Sequence, residues 1–264
     1  MRKLILILSL TGAIRTAHAQ EKPKELLAAV LTASGECYYE RDGKSEVAKV
    51  KTIFFKNDRV FTKKGKMDIQ LGPSAVLHLA PYSTVRIADL MEADKKANIA
   101  LELESGRGYT KFAKQMPPGS KYQIKTPTIV AGVRGTEFIL SAGDTPEDPA
   151  AEDADIPAGV FVNHGKVAVA SAGRENEEQE IPAGEQVTGV DNQLVKGVME
   201  DFIKKKMRLF KQLNCMREAQ YKIMEREKNR QIELLEKVKG SVKIQDAGSA
   251  IEEMRKKNEQ RFNK

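Results

Sequence analysis

The chain has 264 residues, a net charge of +7, 41% hydrophobic residues, two cysteines and no tryptophan. That length allows one good core with an appendage, or two small domains, and two distant cysteines are too few for a metal site. Charge is unevenly divided: residues 20–195 carry 22 Lys+Arg against 26 Asp+Glu, a net of −4, whereas residues 196–264 carry 19 against 11, a net of +8, so composition marks a boundary near Val195.

Arg2 and Lys3 lead into the apolar run Leu4 to Leu10, and Ala17-His18-Ala19 supplies the small residues a signal peptidase reads. This predicts a secretory signal over residues 1–19, cleaved before Gln20. Its apolar core is broken by Arg15 and falls short of the roughly 20 residues needed to cross a bilayer. No cysteine follows the cleavage site, which disfavours a lipoprotein, and no later segment is apolar enough to span. The mature chain is expected to be exported and soluble, whether retained in the envelope, surface-associated or secreted.

From Ala28 to residue 191, short alternating or fully apolar runs are separated by turn signals, the pattern of many small strands. Asp42-Gly43 sits between two such runs as a hairpin signal. Further turns are expected at Pro81-Tyr82-Ser83, Ser105-Gly106, Asn163-His164-Gly165 and Ala183-Gly184. The expected class is mainly β, either a two-sheet sandwich or a solenoid-like stack. Between Gly143 and Gly159 the run "GDTPEDPAAEDADIPAG" has three prolines, six acids and no basic residue, which reads as a mobile, solvated insertion. Its acids (Asp144, Glu147, Asp148, Glu152, Asp153, Asp155) lack the spacing and turn glycine of a calcium loop, so no metal site is assigned.

Residues 197–264 form a basic helical region. Met199, Phe202, Ile203, Leu209, Phe210, Leu213, Met216, Ile223 and Met224 recur at three- and four-residue steps, predicting one long amphipathic helix. A short second helix is expected from Ser249, with Glu252 completing a capping box. Lys206 and Gln220 fall at seam positions, so a strict coiled coil is not secured. The tail is expected to pack on the β domain or a partner, or to self-associate. Ten basic and three acidic residues between Lys204 and Arg230 could face an anionic surface, or the acidic insertion of the same chain. Export argues against nucleic acid.

Cys37 and Cys215 lie on either side of the charge boundary. In an oxidising compartment they could form a disulfide, or remain two separate thiols; spacing alone does not bring their Cα atoms within about 7 Å. Catalytic signatures are absent: there is no His-Glu-x-x-His, Walker loop or Gly-x-Ser-x-Gly. His78 and His164 read as structural or incidental, and Glu102 and Glu104 as exposed carboxylates on one strand face. No cofactor is implied, and the reading is a non-enzyme.

The stretch "TPTIVAGVRGTEFIL", Thr126 to Leu140, places an arginine in an apolar run. By strand parity Ile129, Ala131 and Val133 share one face while Val130, Gly132 and Arg134 share the other, as in a doubly covered central strand. A buried Arg134 needs oxygen partners, and a bulge at Gly135 would bring it to the same side as Glu137. Arg134 is therefore expected to be a structural clamp, bonded to Glu137 or to loop carbonyls.

The same stretch resembles the signature of the FecR-like domain of bacterial envelope proteins, carried by Thr126, Pro127, Thr128, Gly132, Arg134, Gly135, Thr136, Glu137 and Phe138. "NDRVFT", "GPSAVLHLAPYSTVRI", "ALELESGRGYTKF", "VFVNHGKVAV" and "IPAGEQV" are similar to its other strands. The resemblance implies a periplasmic, all-β, non-catalytic domain acting as an interaction or signalling module whose partner is an envelope protein. The alternative is a cell-wall or surface-binding protein attached to an anionic polymer through its basic tail. The family's regulators carry a cytoplasmic domain and a membrane span that this reading does not find.

Overall fold

The structure, a computed structural model, describes residues 23–133, 135–143, 153–190 and 193–237. Its strands in chain order are β1 (Lys24–Glu25), β2 (Ala28–Ser34), β3 (Cys37–Arg41), β4 (Lys44–Val47), β5 (Ile53–Phe54), β6 (Arg59–Thr62), β7 (Lys66–Leu71), β8 (Ala75–Leu79), β9 (Thr84–Ala93), β10 (Lys96–Ser105), β11 (Arg107–Phe112), β12 (Lys121–Lys125), β13 (Ile129–Val133), β14 (Glu137–Ser141), β15 (Gly159–His164), β16 (Lys166–Ser171), β17 (Gln179–Pro182), β18 (Glu185–Val190) and β19 (Gln193–Val198). They form two sheets. The ten-stranded sheet runs β17-β16-β13-β12-β10-β9-β6-β3-β4 with β1 added on β9, and the nine-stranded sheet runs β19-β18-β15-β14-β11-β8-β7-β2-β5.

Alternation explains the core between them. Every second residue of a strand faces inward, so Leu77 and Leu79 of β8, Ile99, Leu101 and Leu103 of β10, and Val167 and Val169 of β16 meet in one buried cluster. The chain passes from sheet to sheet as it advances: β7 and β8 pair in one sheet, β9 and β10 in the other. After β11, β12 and β13 pair in the ten-stranded sheet, β14 and β15 in the nine-stranded, β16 and β17 in the ten-stranded, and β18 and β19 in the nine-stranded. The winding is thus a progressive stack of two sheets. β10 and β12 run parallel because β11 lies between them in the chain but belongs to the opposite sheet.

Asp42-Gly43 closes the β3–β4 hairpin as expected. Pro81-Tyr82-Ser83 and Ser105-Gly106, by contrast, are corners at which the chain changes sheets. The two corners are locked together. Thr62 Oγ1 donates to the Ala80 carbonyl at 2.6 Å and accepts from Ser83 N at 3.1 Å, and Ser83 Oγ accepts from Arg107 N at 2.8 Å. Gly106 adopts φ +76°, and a Cβ there would lie 2.2 Å from Ser83 Oγ and 2.6 Å from the Tyr82 carbonyl oxygen. No side chain fits that contact.

The tail departs from the expected continuous helix. It comprises α1 (Asp201–Lys206), a 3-10 turn (Met207–Lys211), a non-helical stretch at 212–217, and helical residues 218–237. The break has a cause far away in sequence: Met216 N donates to Oε1 of the buried Gln70 at 2.8 Å, so the strand side chain takes the amide that a continuous helix would use. The short helix expected from Ser249 lies outside the described residues.

Both halves of the tail lie on the outer face of the nine-stranded sheet. Met199, Ile203, Met207, Phe210 and Leu213 bury against Ala80, Tyr109, Ile139, Ile156 and Phe161, and Tyr221, with Met216 and Met224, covers Leu27, Ala29 and Ile53. Each large side chain so buried contributes about 1.5–3 kcal/mol. Lys228, buried on the same helix, donates from Nζ to the Glu25 carbonyl and so ties the tail to β1.

Candidate interaction site

The signature stretch builds a hairpin, the central strand that parity pointed to, and at Gly135 a corner in place of a bulge. Thr126 is buried and organises the hairpin turn: its Oγ1 accepts from Ile129 N at 2.9 Å and Thr128 N at 3.3 Å, while its amide donates to the Ile129 carbonyl at 2.8 Å. Pro127, which has no amide to offer, is exposed at the tip with Thr128. β13 then crosses the ten-stranded sheet with Ile129, Ala131 and Val133 facing the core, the face that parity assigned them.

At Gly135 the chain turns with φ +73°, and a Cβ there would come within 3.0 Å of Gln115 Cγ. Thr136 is buried beyond it, its carbonyl accepting from Phe112 N at 3.1 Å, and β14 continues in the opposite sheet. Phe138 enters the core. Glu137 faces outward, accepting from Asn163 Nδ2 at 2.6 Å and pairing with Lys111 at 3.6 Å. Arg134, and with it the expected clamp, lies outside the described residues.

Beside this corner an open groove of about 720 Å³ runs over the outer face of the ten-stranded sheet. Gly132 and Ala168, opposite each other in the β13–β16 ladder, keep its floor low. Its flanks are polar and of mixed charge, with Gln115 and Lys121 among the lining residues and a Lys166–Glu180 ion pair of 3.0 Å. Further along this face Arg59 bonds Glu104 at 2.6 Å, and Arg86 bonds Glu102 through Nε at 3.0 Å and Nη2 at 2.5 Å. The two carboxylates therefore serve a cross-strand ion-pair ladder.

Other residues singled out in the sequence fall into structural roles. His78 is buried, with Nδ1 2.6 Å from Asp68 Oδ1 and its ring edge-on to Tyr109. His164 lines the groove. Cys37 and Cys215 are free thiols: Cys37 sits in the inter-sheet core and donates to the Lys66 carbonyl at 3.4 Å, while Cys215 lies in the tail's break beside Gln70 and Ala113. Burial pushes both thiols above the ordinary cysteine range. Among the described residues no group of three or more His, Cys, Asp and Glu could hold a metal, and no helix is long and apolar enough to cross a membrane.

The C-terminal limb of the insertion is anchored, in a segment the sequence suggested was a mobile loop. Residues 144–152 lie outside the described residues, but its far limb is held by Arg107. This nearly fully buried arginine donates through Nη2 to the Ala154 and Ile156 carbonyls, each at 3.1 Å. Asp153 is buried too: it accepts from Tyr109 Oη at 2.5 Å and pairs with Lys206 at 2.8 Å, and Lys206 reaches Asp155 at 3.0 Å. Lys206, read as a seam defect, joins tail to insertion. Arg107 went unremarked in the sequence because its acceptors are backbone oxygens 47 and 49 residues away.

The two wound sheets and their strand–corner–strand signature define an all-β, domain-sized module. Residues 58–168 match the family described as FecR protein. Two crystal structures of a protein from Parabacteroides distasonis ATCC 8503, provisionally described as an anti-sigma factor, are similar at 18% identity. One has a TM-score of 0.42 over 54% of this chain and 60% of that one, the other 0.40 over 53% and 58%. The chain thus spans less than two thirds of their length. No curated protein matches the chain.

Proposed function

We propose that the protein is a non-catalytic signalling or interaction module of the cell envelope, exported by the signal at residues 1–19, with its FecR domain presenting the binding surface. The observation that carries this reading is the asymmetry of the two sheets. The chain's own tail covers the outer face of the nine-stranded sheet, whereas the outer face of the ten-stranded sheet keeps an open, mixed-charge groove whose lining includes Gly132 and Gly135 of the signature. A polar groove of this kind suits a polypeptide partner, which supplies donors, acceptors and both signs of charge. The buried tail favours a segment that completes the domain over a detachable anchor.

The test is photo-cross-linking in intact cells from positions 123 and 166, on the groove, with position 44 on the exposed β4 as control. A discrete adduct with an envelope protein from the two groove positions, absent from position 44, supports the assignment. No adduct, or the same adducts from all three positions, refutes it.

A further inference from the structure

A second cavity, of about 300 Å³, opens where the tail meets the nine-stranded sheet, with no lining residue in common with the groove. Lys111 of β11 contributes from below, and Lys204, Arg208 and Lys211 come from the tail above it. Met207 and Phe210 supply an apolar wall. Two carboxylates belong to the cluster and both are already engaged: Glu137 by Asn163 at 2.6 Å and Lys111 at 3.6 Å, and Asp201 by Lys204 at 2.9 Å. Lys111 also donates to the Phe210 carbonyl at 2.6 Å. Arg208 and Lys211 have no ion-pair or side-chain hydrogen-bond partner among the described residues.

We propose that this pocket binds a phosphate monoester. Four cations less two carboxylates leave two positive charges, which match the charge of about −1.5 to −2 on a phosphate monoester at neutral pH; a carboxylate would neutralise only one. Arg208 offers a planar fork that bonds two phosphate oxygens at once, and Lys211 a mobile point charge from the next turn. Like charges gathered without counter-charge repel one another, and a bound dianion relieves that repulsion. The cavity exceeds a bare phosphate, leaving room for the group that carries it, and the Met207–Phe210 wall gives that group an apolar surface. The phosphate's source is either a free small molecule or a lipid head group.

The experiment is calorimetric titration of the full mature chain at low ionic strength with inorganic phosphate, alongside flotation with phosphatidylcholine vesicles containing phosphatidic acid. The test variant is Arg208→Gln with Lys211→Gln; the control is Lys44→Gln with Lys49→Gln, which removes the same charge from an exposed region. All of these side chains are exposed, so unchanged melting temperatures are expected. Phosphate binding weakened at least about tenfold (a step of about 1.4 kcal/mol) in the test variant but not the control supports a free anion as source. The same pattern confined to vesicles supports a head group. No saturable binding to either probe, or equal loss in both variants, overturns the proposal.

Discussion

If the tail is an integral layer of the domain, Phe210→Ala must be expensive. Phe210 is 2% exposed, its ring centroid lies 5.9 Å from that of Tyr109, and Ile139 and Phe161 belong to the same cluster. Truncating a buried phenylalanine removes its transfer free energy and leaves a cavity, at about 3–5 kcal/mol. The hydrogen bond from Lys111 uses the Phe210 carbonyl and survives the substitution, so the loss reports packing. For a chain of this size 1 kcal/mol moves the melting temperature by about 2–4 °C, which predicts a fall of about 6–20 °C, read by circular dichroism alongside urea unfolding. Val198→Ala, at 76% exposure, is the control and should stay within about 0.5 kcal/mol. A loss below about 1 kcal/mol for Phe210→Ala, with the cooperative transition intact, would mean that the tail docks without stabilising the sheet.

Arg107→Met removes the donors that hold residues 154 and 156. Hydrogen bonds from a charged group contribute about 1.5–3 kcal/mol, so limited proteolysis should cut the 153–158 limb much faster than in the parent chain; an unchanged digestion pattern would refute the anchor. Gly106→Ala should destabilise by several kcal/mol because the methyl meets Ser83 and the Tyr82 carbonyl in a conformation that L-residues disfavour, and a melting temperature equal to the parent's would contradict the locked-corner geometry. Lys228 is held below the ordinary lysine value of 10.5, chiefly by burial. Between its lowered value and 10.5 the unfolded chain binds the extra proton, so stability rises with pH in that window. Lys228→Met should therefore raise the melting temperature at pH 7, with the gain shrinking towards pH 10.5; a loss at pH 7 would show that the bond to the Glu25 carbonyl outweighs the buried charge.

Alternation located the strands because it records which side chains face the inter-sheet core, as Leu77 and Leu79 or Val167 and Val169 do. It did not reveal where the chain changes sheets. Asp42-Gly43 closes a hairpin and Ser105-Gly106 makes a corner, yet both are small or polar residues allowing a positive φ. What separates them is the long-range contact of Gly106 with Ser83, and turn chemistry is local. The tail shows the same limit. Its apolar stripe was read as continuous, but the 3-10 turn at Met207–Lys211 and the amide captured by Gln70 shift the helical phase. Ile223, placed on the stripe, ends 63% exposed, while Met207 and Tyr221, omitted from it, are buried.

The basic composition of the tail also needs a different interpretation once its side chains are placed. Ten basic residues between Lys204 and Arg230 suggested a broad cationic face. Lys206 turns inward to Asp153 and Asp155, and Lys228 is buried against β1. Lys204 and Lys222 pair with acids on their own turns of helix, where such exposed pairs count for little and offset each other's fields. Arg208 and Lys211 are left without partners and stand over one pocket with Lys111. Lys205, Arg217, Arg226 and Arg230 likewise have no ion pair among the described residues but do not line that pocket, so the pocket gathers two of the six unpaired basic residues of this stretch beside Lys111. An anion that bound the tail by diffuse attraction would respond to any basic tail residue removed, whereas one that binds the pocket responds to Arg208 and Lys211; Arg226→Gln with Arg230→Gln, which removes the same charge from an exposed part of the tail outside the pocket, separates the alternatives.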